Sequence, residues 1–227
     1  MWGDRMATAT TMSLVQFQRQ FKDEAACEAH LFQSRWPEGF VCPRCGNPSH
    51  YYIKTRKHYE CQQCGYQASL TAGTVMHKSK LPLHIWFWAI YLVVNDKRGR
   101  SALALAGLLQ LNYRTAWRLL HKIRHAMQER DAHYKLSGMI EMDEAYFGAP
   151  QAGADGRGTN RAKVAVALQT DDQGHPLYLK MNVIEAATSK ELRRVAEECT
   201  VPGSRIRSDG LGAYRQLNGM YLSLIHI

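Results

Sequence analysis

The sequence has no apolar stretch long enough to cross a membrane. Its longest apolar run covers residues 85–94, whereas a spanning helix needs about 20 apolar residues. The first residues lead into alanine and threonine, so the apolar core of a secretory signal is missing too. We therefore predict no membrane partner and, by default, a cytoplasmic location. The polar residues 1–11 are predicted to be disordered or an extension at the start site.

Cysteine is also scarce, and without an export signal the six cysteines argue for metal ligation over disulfides. Four of them form two C-x2-C pairs separated by 15 residues: Cys42, Cys45, Cys61 and Cys64. A glycine follows each pair and permits the tight turn that brings both sulfurs to one ion. Four thiolates make the closed tetrahedral site of structural zinc. A pair of disulfides or a redox pair is the alternative interpretation.

Residues 51–53 and 58–60, between the cysteine pairs, are predicted to be strands of a small zinc ribbon. A domain of this size has little core, so zinc must supply most of its folding free energy, roughly 10–16 kcal/mol in comparable peptides. Residues 13–35 before it are predicted to be helical, with a possible break near Lys22 and Asp23. Cys27 has no partner at metal-ligand spacing and is predicted to be a small buried residue.

Acidic residues are nearly absent from residues 97–130. This stretch contains a single acid, Glu129, against eight lysines and arginines. The whole chain carries a formal net charge of +9. Positive charge concentrated in this way favours a polyanionic partner over a protein that is merely basic.

The same region predicts consecutive helices. Residues 83–94 are apolar nearly all round and predict a buried helix. Ser101 can cap a helix that runs to Leu109, residues 110–112 form a short turn, and a further helix covers about 113–130. The buried face of the last helix is predicted to comprise Ala116, Leu119, Leu120, Ile123 and Met127. Trp117 is also assigned to the core.

The opposite face of the last helix is basic and carries Arg114, Arg118, His121, Lys122 and His125. A helix, a tight turn and a basic amphipathic helix form the helix-turn-helix pattern, which offers its second helix to the major groove of DNA. We therefore predict that these five residues bind DNA. A plain solvated basic face is the alternative.

Residues 137–214 carry two aspartates on separate predicted strands. Strands are predicted at residues 139–148, 162–170, 175–184 and 205–209, with a turn at 171–174. A helix capped by Thr188 precedes the last strand. Its buried face is predicted to comprise Leu192, Val195, Ala196 and Cys199.

This order of elements can bring Asp143 and Asp209 together. A helix between strands of one sheet usually returns the later strand parallel to an earlier one, and if the fourth strand lies beside the first, both aspartates lie at neighbouring strand ends. Adjacent carboxylates repel each other unless a cation lies between them, and oxygen ligands without nearby histidine or cysteine suit magnesium or manganese. Such ions can activate the attacking oxygen in phosphoryl transfer. Asp209 before Gly210 also fits an ordinary turn residue.

A glycine-rich basic loop covers residues 151–161, between the first two of these strands. The spacing of a Walker loop is absent from it. The loop could hold a phosphate backbone, or it could be an ordinary hairpin connection.

Several of these motifs together resemble those of bacterial insertion-sequence transposases of the ISXO-two-like group. They are residues 35–46 (RWPEGFVCPRCG), 101–104 with 115–118, 142–148 (MDEAYFG), and 208–210 with Tyr214. Their order and spacing carry the resemblance, which covers about residues 17–217. It implies a ribonuclease-H-like catalytic domain with a DDE-type triad and two magnesium ions, in which Asp143 and Asp209 are the first two acids. It also implies cleavage at a transposon end, attack of the freed 3′-hydroxyl on target DNA, and a multimer acting at paired ends.

The third metal ligand of the family, Glu or Asn, lies on a later helix, for which the sequence after Asp209 leaves no room. The tail, residues 221–227, also departs from the family pattern near Met220. We therefore expect this chain to be a fragment with weakened or absent activity. A version extended by the missing helix tests this expectation, because equal strand transfer by both would refute it.

The sequence thus predicts an α+β multidomain protein. Its segments are an N-terminal helical segment (1–36), a zinc ribbon (37–72), a helix-turn-helix region (73–134) and an incomplete ribonuclease-H-like α/β domain (135–227). The favoured function is a transposase with structural zinc and catalytic magnesium or manganese. The alternative is a zinc-ribbon and helix-turn-helix regulator without catalysis, and a nuclease or resolvase on the same fold is the third. Convergence of Asp143 and Asp209 in space favours an enzyme over the regulator.

Overall fold

Two separate hydrophobic cores organise the chain, which folds as two units, residues 1–127 and 128–227. The computed structural model describes residues 12–96, 98–149, 159–209, 212–217 and 222–225. The N-terminal extension, most of the glycine-rich loop, and the tail residues Tyr221, His226 and Ile227 lie outside these described residues. In the described part of the chain, no helix is both long enough and apolar enough to cross a membrane.

The first unit contains five helices and a small sheet. The helices are α1 (Leu14–Gln20), α2 (Glu24–Arg35), α3 (Leu83–Val94), α4 (Ala102–Leu109) and α5 (Tyr113–Asp131), the last of which continues into the second unit. The predicted break after α1 is confirmed, since Ser13 caps α1 and Asp23 caps α2 through the backbone N–H of Ala26. Cys27 is fully buried, as predicted.

The apolar helix α3 lies at the centre of the first core. Trp86 and Ala89 are buried on it, and Phe17 of α1 packs against Tyr91 at 4.4 Å between ring centroids. Pro82 precedes α3 and offers no side-chain cap, so the first N–H groups need an acceptor from elsewhere. The Glu24 carboxylate of α2 accepts from the backbone N–H groups of Leu83 and His84 at 2.8 and 2.9 Å. This contact ties α2 to the start of α3.

The zinc-ribbon sheet has three strands, one more than predicted. Strands β1 (His50–Ile53) and β2 (His58–Cys61) pair antiparallel, and β3 (Gln67–Ser69) pairs antiparallel with β2. The third strand is only three residues long and contains a single buried apolar residue, Ala68, so alternation gives little signal there.

Helices α4 and α5 follow the predicted bounds closely. Ser101 caps α4 through the N–H of Ala104, and Gln110 ends it in the left-handed conformation, which permits a short connection to α5. Ala116, Leu119, Leu120 and Ile123 are buried as predicted. Two assignments on α5 are wrong: Trp117 is 46% exposed and Met127 is 50% exposed. Both lie at the margins of the apolar stripe, where helical periodicity places a side chain less firmly.

The second unit is built on one mixed five-stranded sheet in the order β6-β5-β4-β7-β8. The strands are β4 (Met139–Phe147), β5 (Ala162–Thr170), β6 (Pro176–Ile184), β7 (Arg205–Ser208) and β8 (Leu222–Ile225), and α6 (Ser189–Cys199) connects β6 to β7. Strands β4, β5 and β6 form an antiparallel meander, whereas β7 returns parallel to β4 and β8 lies parallel to β7. The predicted parallel placement of the fourth strand beside the first is thereby confirmed. A mixed sheet of this order is compatible with a partial ribonuclease-H-like fold.

One face of this sheet holds the second core. The predicted stripe of α6, which includes Leu192 and Val195, packs with Ile140 and Met142 of β4 and Ile206 of β7. The alternate residues of β6 point to the opposite face and are exposed: Leu177, Leu179, Met181 and Val183. The burial pattern therefore separates a core face from an open face along the same strands.

The two faces should respond differently to truncation. Replacing the fully buried Ile140 by Ala should lower the free energy of unfolding by about 2–5 kcal/mol, because it leaves a cavity under α6. Leu179→Ala on the open face removes a side chain that is 43% exposed and should cost less than about 1 kcal/mol. Urea unfolding followed by circular dichroism measures both changes. Equal losses would contradict the assignment of the two faces.

Candidate functional site

The four cysteines of the ribbon converge on one point. The Sγ atoms of Cys42 and Cys64 lie 3.7 Å apart, those of Cys45 and Cys61 lie 3.5 Å apart, and all four lie within 4.8 Å of one another. Zinc–sulfur bonds of about 2.3 Å place tetrahedral sulfurs about 3.8 Å apart. The donor set and its spacing therefore fit a structural zinc ion.

The surroundings of the ribbon thiols favour ionisation of one of them. Burial opposes the charge on Cys61, but backbone N–H groups of Cys64 and Gln63 and the side-chain amide of Asn47 outweigh it and lower the pKa of Cys61 to about 6. For Cys45, the backbone N–H of Asn47 opposes the shift, whereas burial and the neighbouring thiols raise its pKa to about 12. Cys61 is thus favoured to bind a cation as a thiolate. The bound cation would then favour ionisation of the other three thiols.

The second candidate site is a cluster of three carboxylates where β7 ends beside the middle of β4. The predicted position of Asp143 at a strand end is wrong, because β4 continues to Phe147 in its pairing with β5. The parallel register pairs Met142 with Ser208, so Asp143 and Asp209 are the next residues on the two neighbouring strands. Oxygen atoms of Asp143, Glu144 and Asp209 all lie within 4.8 Å of one another. The structure thus brings together the two aspartates named from the sequence and adds Glu144, which sequence reasoning missed.

Glu144 occupies the inner side of this cluster. It follows Ile140 and Met142 on the alternating face of β4 that turns toward α6, and it is half-buried, whereas Asp143 and Asp209 are exposed. Tyr214, which is 1% exposed, lies behind it. Burial raises the pKa of Tyr214, and the charge of Glu144 raises it further, followed by the charges of Asp143 and Asp209. Glu144 directly follows Asp143 in the sequence. Because successive side chains of a strand point to opposite faces, this adjacency alone did not predict that both carboxylates belong to one site.

The chemistry of the cluster fits a hard divalent cation. Its ligand atoms are carboxylate oxygens, without histidine or cysteine among the clustered residues. The backbone N–H of Glu144 donates to Asp143 Oδ1 at 2.7 Å, which orients that carboxylate on β4. Three carboxylates this close repel each other, and a bound cation would relieve the repulsion.

The predicted DNA-binding residues of α5 are all exposed. Arg114, Arg118, His121 and His125 share the face opposite the buried stripe, and the exposed Trp117 lies among them with its ring 4.0 Å from that of His121. The N-terminal half of α5 therefore presents cations and an aromatic surface together.

Lys122 is engaged differently from the other members of that set. Its Nζ donates to the backbone carbonyls of Val75 and His77 at 3.3 and 2.7 Å and lies 5.7 Å from the centre of the Trp86 ring. The side chain therefore holds residues 75–77 against α5. Its predicted contact with DNA stays a prediction.

Positive charge is divided unevenly between the two units. Residues 1–127 contain 17 lysines and arginines against 7 acids, a net charge of +10, whereas residues 128–227 contain 12 against 13, a net charge of −1. The unit with the cysteine cluster and the helix pair accounts for all the excess charge, and the unit with the carboxylate cluster is close to neutral.

Known proteins match both units. A family model described as a transposase zinc-ribbon domain matches residues 22–67, and one described as an ISXO2-like transposase domain matches residues 135–225. The second match extends past Met220, the position at which the sequence predicts a departure from the family pattern. The chain is also 25% identical, over 218 residues, to an uncharacterized protein in transposable element ISH50 from Halobacterium salinarum, an alignment that covers 88% of this chain and 72% of that protein.

The two matched domains occur in the order that the motifs of this sequence predict, with the cysteine cluster inside the first and the carboxylate cluster inside the second. The chain is therefore similar to a transposase zinc-ribbon domain over residues 22–67 and to an ISXO2-like transposase domain over residues 135–225.

Proposed function

We propose that this chain is a DNA transposase that binds duplex DNA through α4 and α5 and carries out metal-dependent cleavage and strand transfer at Asp143, Glu144 and Asp209. The observation that supports the catalytic part most strongly is the convergence of these three carboxylates within 4.8 Å, inside the segment matched by the transposase domain. A regulator that used its second unit only for dimerisation would have no need to bring three acids together beside the end of β7.

The chain contributes positioning and charge to this reaction. Asp143 in the middle of β4 and Asp209 just after β7 would hold divalent ions, and Glu144 would complete the ligand set from the inner side. When bound there, divalent ions supply Lewis-acid activation of the attacking oxygen and stabilise the leaving oxygen of the phosphodiester. The pairing of β4 with β5 and β7 holds the backbone that carries the carboxylates in place before DNA arrives, so little reorganisation is needed during the reaction.

The proposed role of the zinc ribbon is structural. All four cysteines act as ligands, which leaves no open position for water or substrate. The ribbon also packs into the first core, since Phe40 and Tyr59 of the ribbon contact Trp36 at 4.9 and 5.4 Å between ring centroids. Zinc would therefore stabilise the unit that carries the helix pair.

DNA binding is assigned to the exposed basic face of α5. A helix that follows a short connection and presents Arg114 and Arg118 from its first turns matches the way a recognition helix enters the major groove. His121 and His125 extend the same face. The net charge of +10 on this unit favours association with a polyanion.

Removing one aspartate of the cluster should abolish strand cleavage. Asp143→Asn and Asp209→Asn should each lower nicking of supercoiled plasmid in Mg²⁺ or Mn²⁺ by on the order of 100-fold or more, because each loses a charged metal ligand at the reacting centre. Glu141→Gln is the matched control. Glu141 lies on the same strand, pairs with Arg207 at 3.4 Å and is outside the cluster, so activity should persist. Because the missing third ligand predicts weakened activity, a version extended by the missing helix is assayed beside the wild type. DNA binding without nicking by both would favour the regulator.

Glu144→Gln should act mainly on metal affinity. The concentration of Mn²⁺ needed for half-maximal nicking should rise roughly 10- to 100-fold, the range found when a group that tunes a metal site is lost. Rescue of the rate at high Mn²⁺ would distinguish a ligand from a residue needed only for folding. A variant with a reduced rate at every Mn²⁺ concentration would contradict the ligand role.

Zinc removal should unfold the ribbon. Cys61→Ser should reduce bound zinc from one ion per chain to none, measured by elemental analysis, and chelation of the wild type should expose the Trp36 cluster, measured by fluorescence. Cys199→Ser is the control, because Cys199 is buried in the second unit and its Sγ donates to Asn182 Oδ1 at 3.1 Å. A wild-type protein purified without zinc and still folded would contradict this role.

A further inference from the structure

A basic cleft lies beside the proposed recognition helix. It has a volume of about 530 Å³, and its walls come from residues 78–81 on one side and from α5 on the other. Lys78 and Lys80 contribute from the first wall, and Arg118 and Lys122 from the second. No sequence pattern indicated this cleft, because Lys78 and Lys80 lie outside the predicted helices and 35 and 33 residues before the start of α5.

Hydrogen bonds and a buried side chain hold the wall that carries the two lysines in place. Lys122 donates to the carbonyls of Val75 and His77. The hydroxyl of Ser79 accepts from the indole N–H of Trp86 at 2.9 Å and from the backbone N–H of Leu81 at 3.1 Å. Met76 is buried in the first core. A wall anchored in this way presents Lys78 and Lys80 in a fixed position, which lowers the entropy cost of binding a ligand.

The chemistry of the cleft selects an anion. Four cationic side chains line it, and no acidic residue is among its lining residues. The remaining lining residues are Ser79, Leu81, Trp86, Thr115 and Leu119. Like charges gathered without a counter-charge repel each other, and a phosphate relieves that repulsion. Lysine ammonium groups suit phosphate as point charges, and Arg118 can bind it with two N–H groups.

Arg118 also connects this cleft to a second surface on α5. It lines a shallower depression together with Tyr113, Arg114 and Trp117. Tyr113 is 55% exposed and Trp117 is 46% exposed, so two large rings face solvent one helical turn apart. We call this second surface the aromatic shelf. It adjoins the basic cleft on the side of the helix start.

We infer that the basic cleft binds the phosphodiester backbone of DNA while the adjoining aromatic shelf contacts the bases. This inference rests on the proposed function, because it requires that α5 faces DNA. It adds Lys78 and Lys80 as backbone contacts from outside the helix pair. It also makes Trp117 a specificity-determining residue and gives Lys122 the role of positioning the cleft wall.

The salt dependence of binding tests the cleft. Binding of a fluorescent duplex of random sequence is measured at several salt concentrations for wild type, for Lys78→Gln/Lys80→Gln and for the control Lys22→Gln/Lys190→Gln. The control removes the same two charges from exposed positions elsewhere. If each cleft lysine neutralises one phosphate, the first variant should lose about 2 from the magnitude of the salt slope and roughly 10- to 100-fold in affinity at 0.1 M salt. The control should keep the wild-type slope.

Different failures have different meanings in this experiment. If the cleft variant keeps the wild-type slope while Arg114→Ala/Arg118→Ala loses binding, the inference is overturned and the proposed function stands. If the wild-type chain does not bind duplex DNA, the proposed function itself fails. Displacement of the duplex by micromolar ATP would identify a nucleotide pocket and overturn the inference too.

The aromatic shelf is tested by sequence preference. Wild type, Trp117→Ala and Trp117→Phe are each used to select binding sites from a random duplex library. Trp117→Ala should lose part of the preferred sequence while keeping the wild-type salt slope, since it removes no charge, and Trp117→Phe should retain more of the preference. An unchanged preferred sequence in Trp117→Ala would overturn the assignment of the shelf to base contact.

Discussion

The register between β4 and β7 is the constraint on which the carboxylate cluster depends. Met142 pairs with Ser208, and this single pairing places the two following aspartates side by side. A shift of one residue would turn the buried Ile206 out of the core, so the hydrophobic effect opposes it. The register is therefore fixed by apolar burial beneath α6, and the acidic side chains are positioned as a consequence. Asp143 and Asp209 are exposed to solvent at the point where β7 ends beside β4.

Sequence patterns predicted most of the fold and both ligand clusters, and the predictions that were wrong or missing have physical causes. The spacing of the two cysteine pairs predicted the cysteine cluster, because ligand spacing is local. The order of strands and α6 predicted the meeting of Asp143 and Asp209, because a helix between two strands of a sheet usually makes them parallel neighbours. The burial of Trp117 is not determined by the local sequence. An aromatic residue at the margin of an apolar stripe is buried or exposed depending on what packs against it. Glu144 was missed for a similar reason: alternation places it toward the core, where a carboxylate is unexpected. The engagement of Lys122 depends on carbonyls some 45 residues away, which no local pattern indicates.

The unequal charge of the two units suggests a division of tasks. A net charge of +10 on the first unit favours the proposed association with DNA, and salt screens such attraction beyond about 10 Å. The near-neutral second unit would add little to it. In the proposed function, affinity depends on helices α4 and α5 and the cleft beside α5, and the carboxylate cluster would act on DNA that is already held. Such a separation allows binding residues and catalytic residues to change independently.

The same electrostatics explain why the proposed reaction requires a metal. Three carboxylates within 4.8 Å create a strongly negative spot. Burial is the main cause of the raised pKa of Tyr214 behind them, and the charges of the three carboxylates raise it further. A phosphodiester approaching this spot would be repelled by the groups proposed to cut it. Two divalent cations would contribute +4 against the −3 of the carboxylates and would reverse the sign of the local potential. Metal binding therefore precedes productive contact with DNA in this account. The positive charge of the first unit cannot substitute for it, because a potential spread over a surface does not neutralise three carboxylates at contact distance.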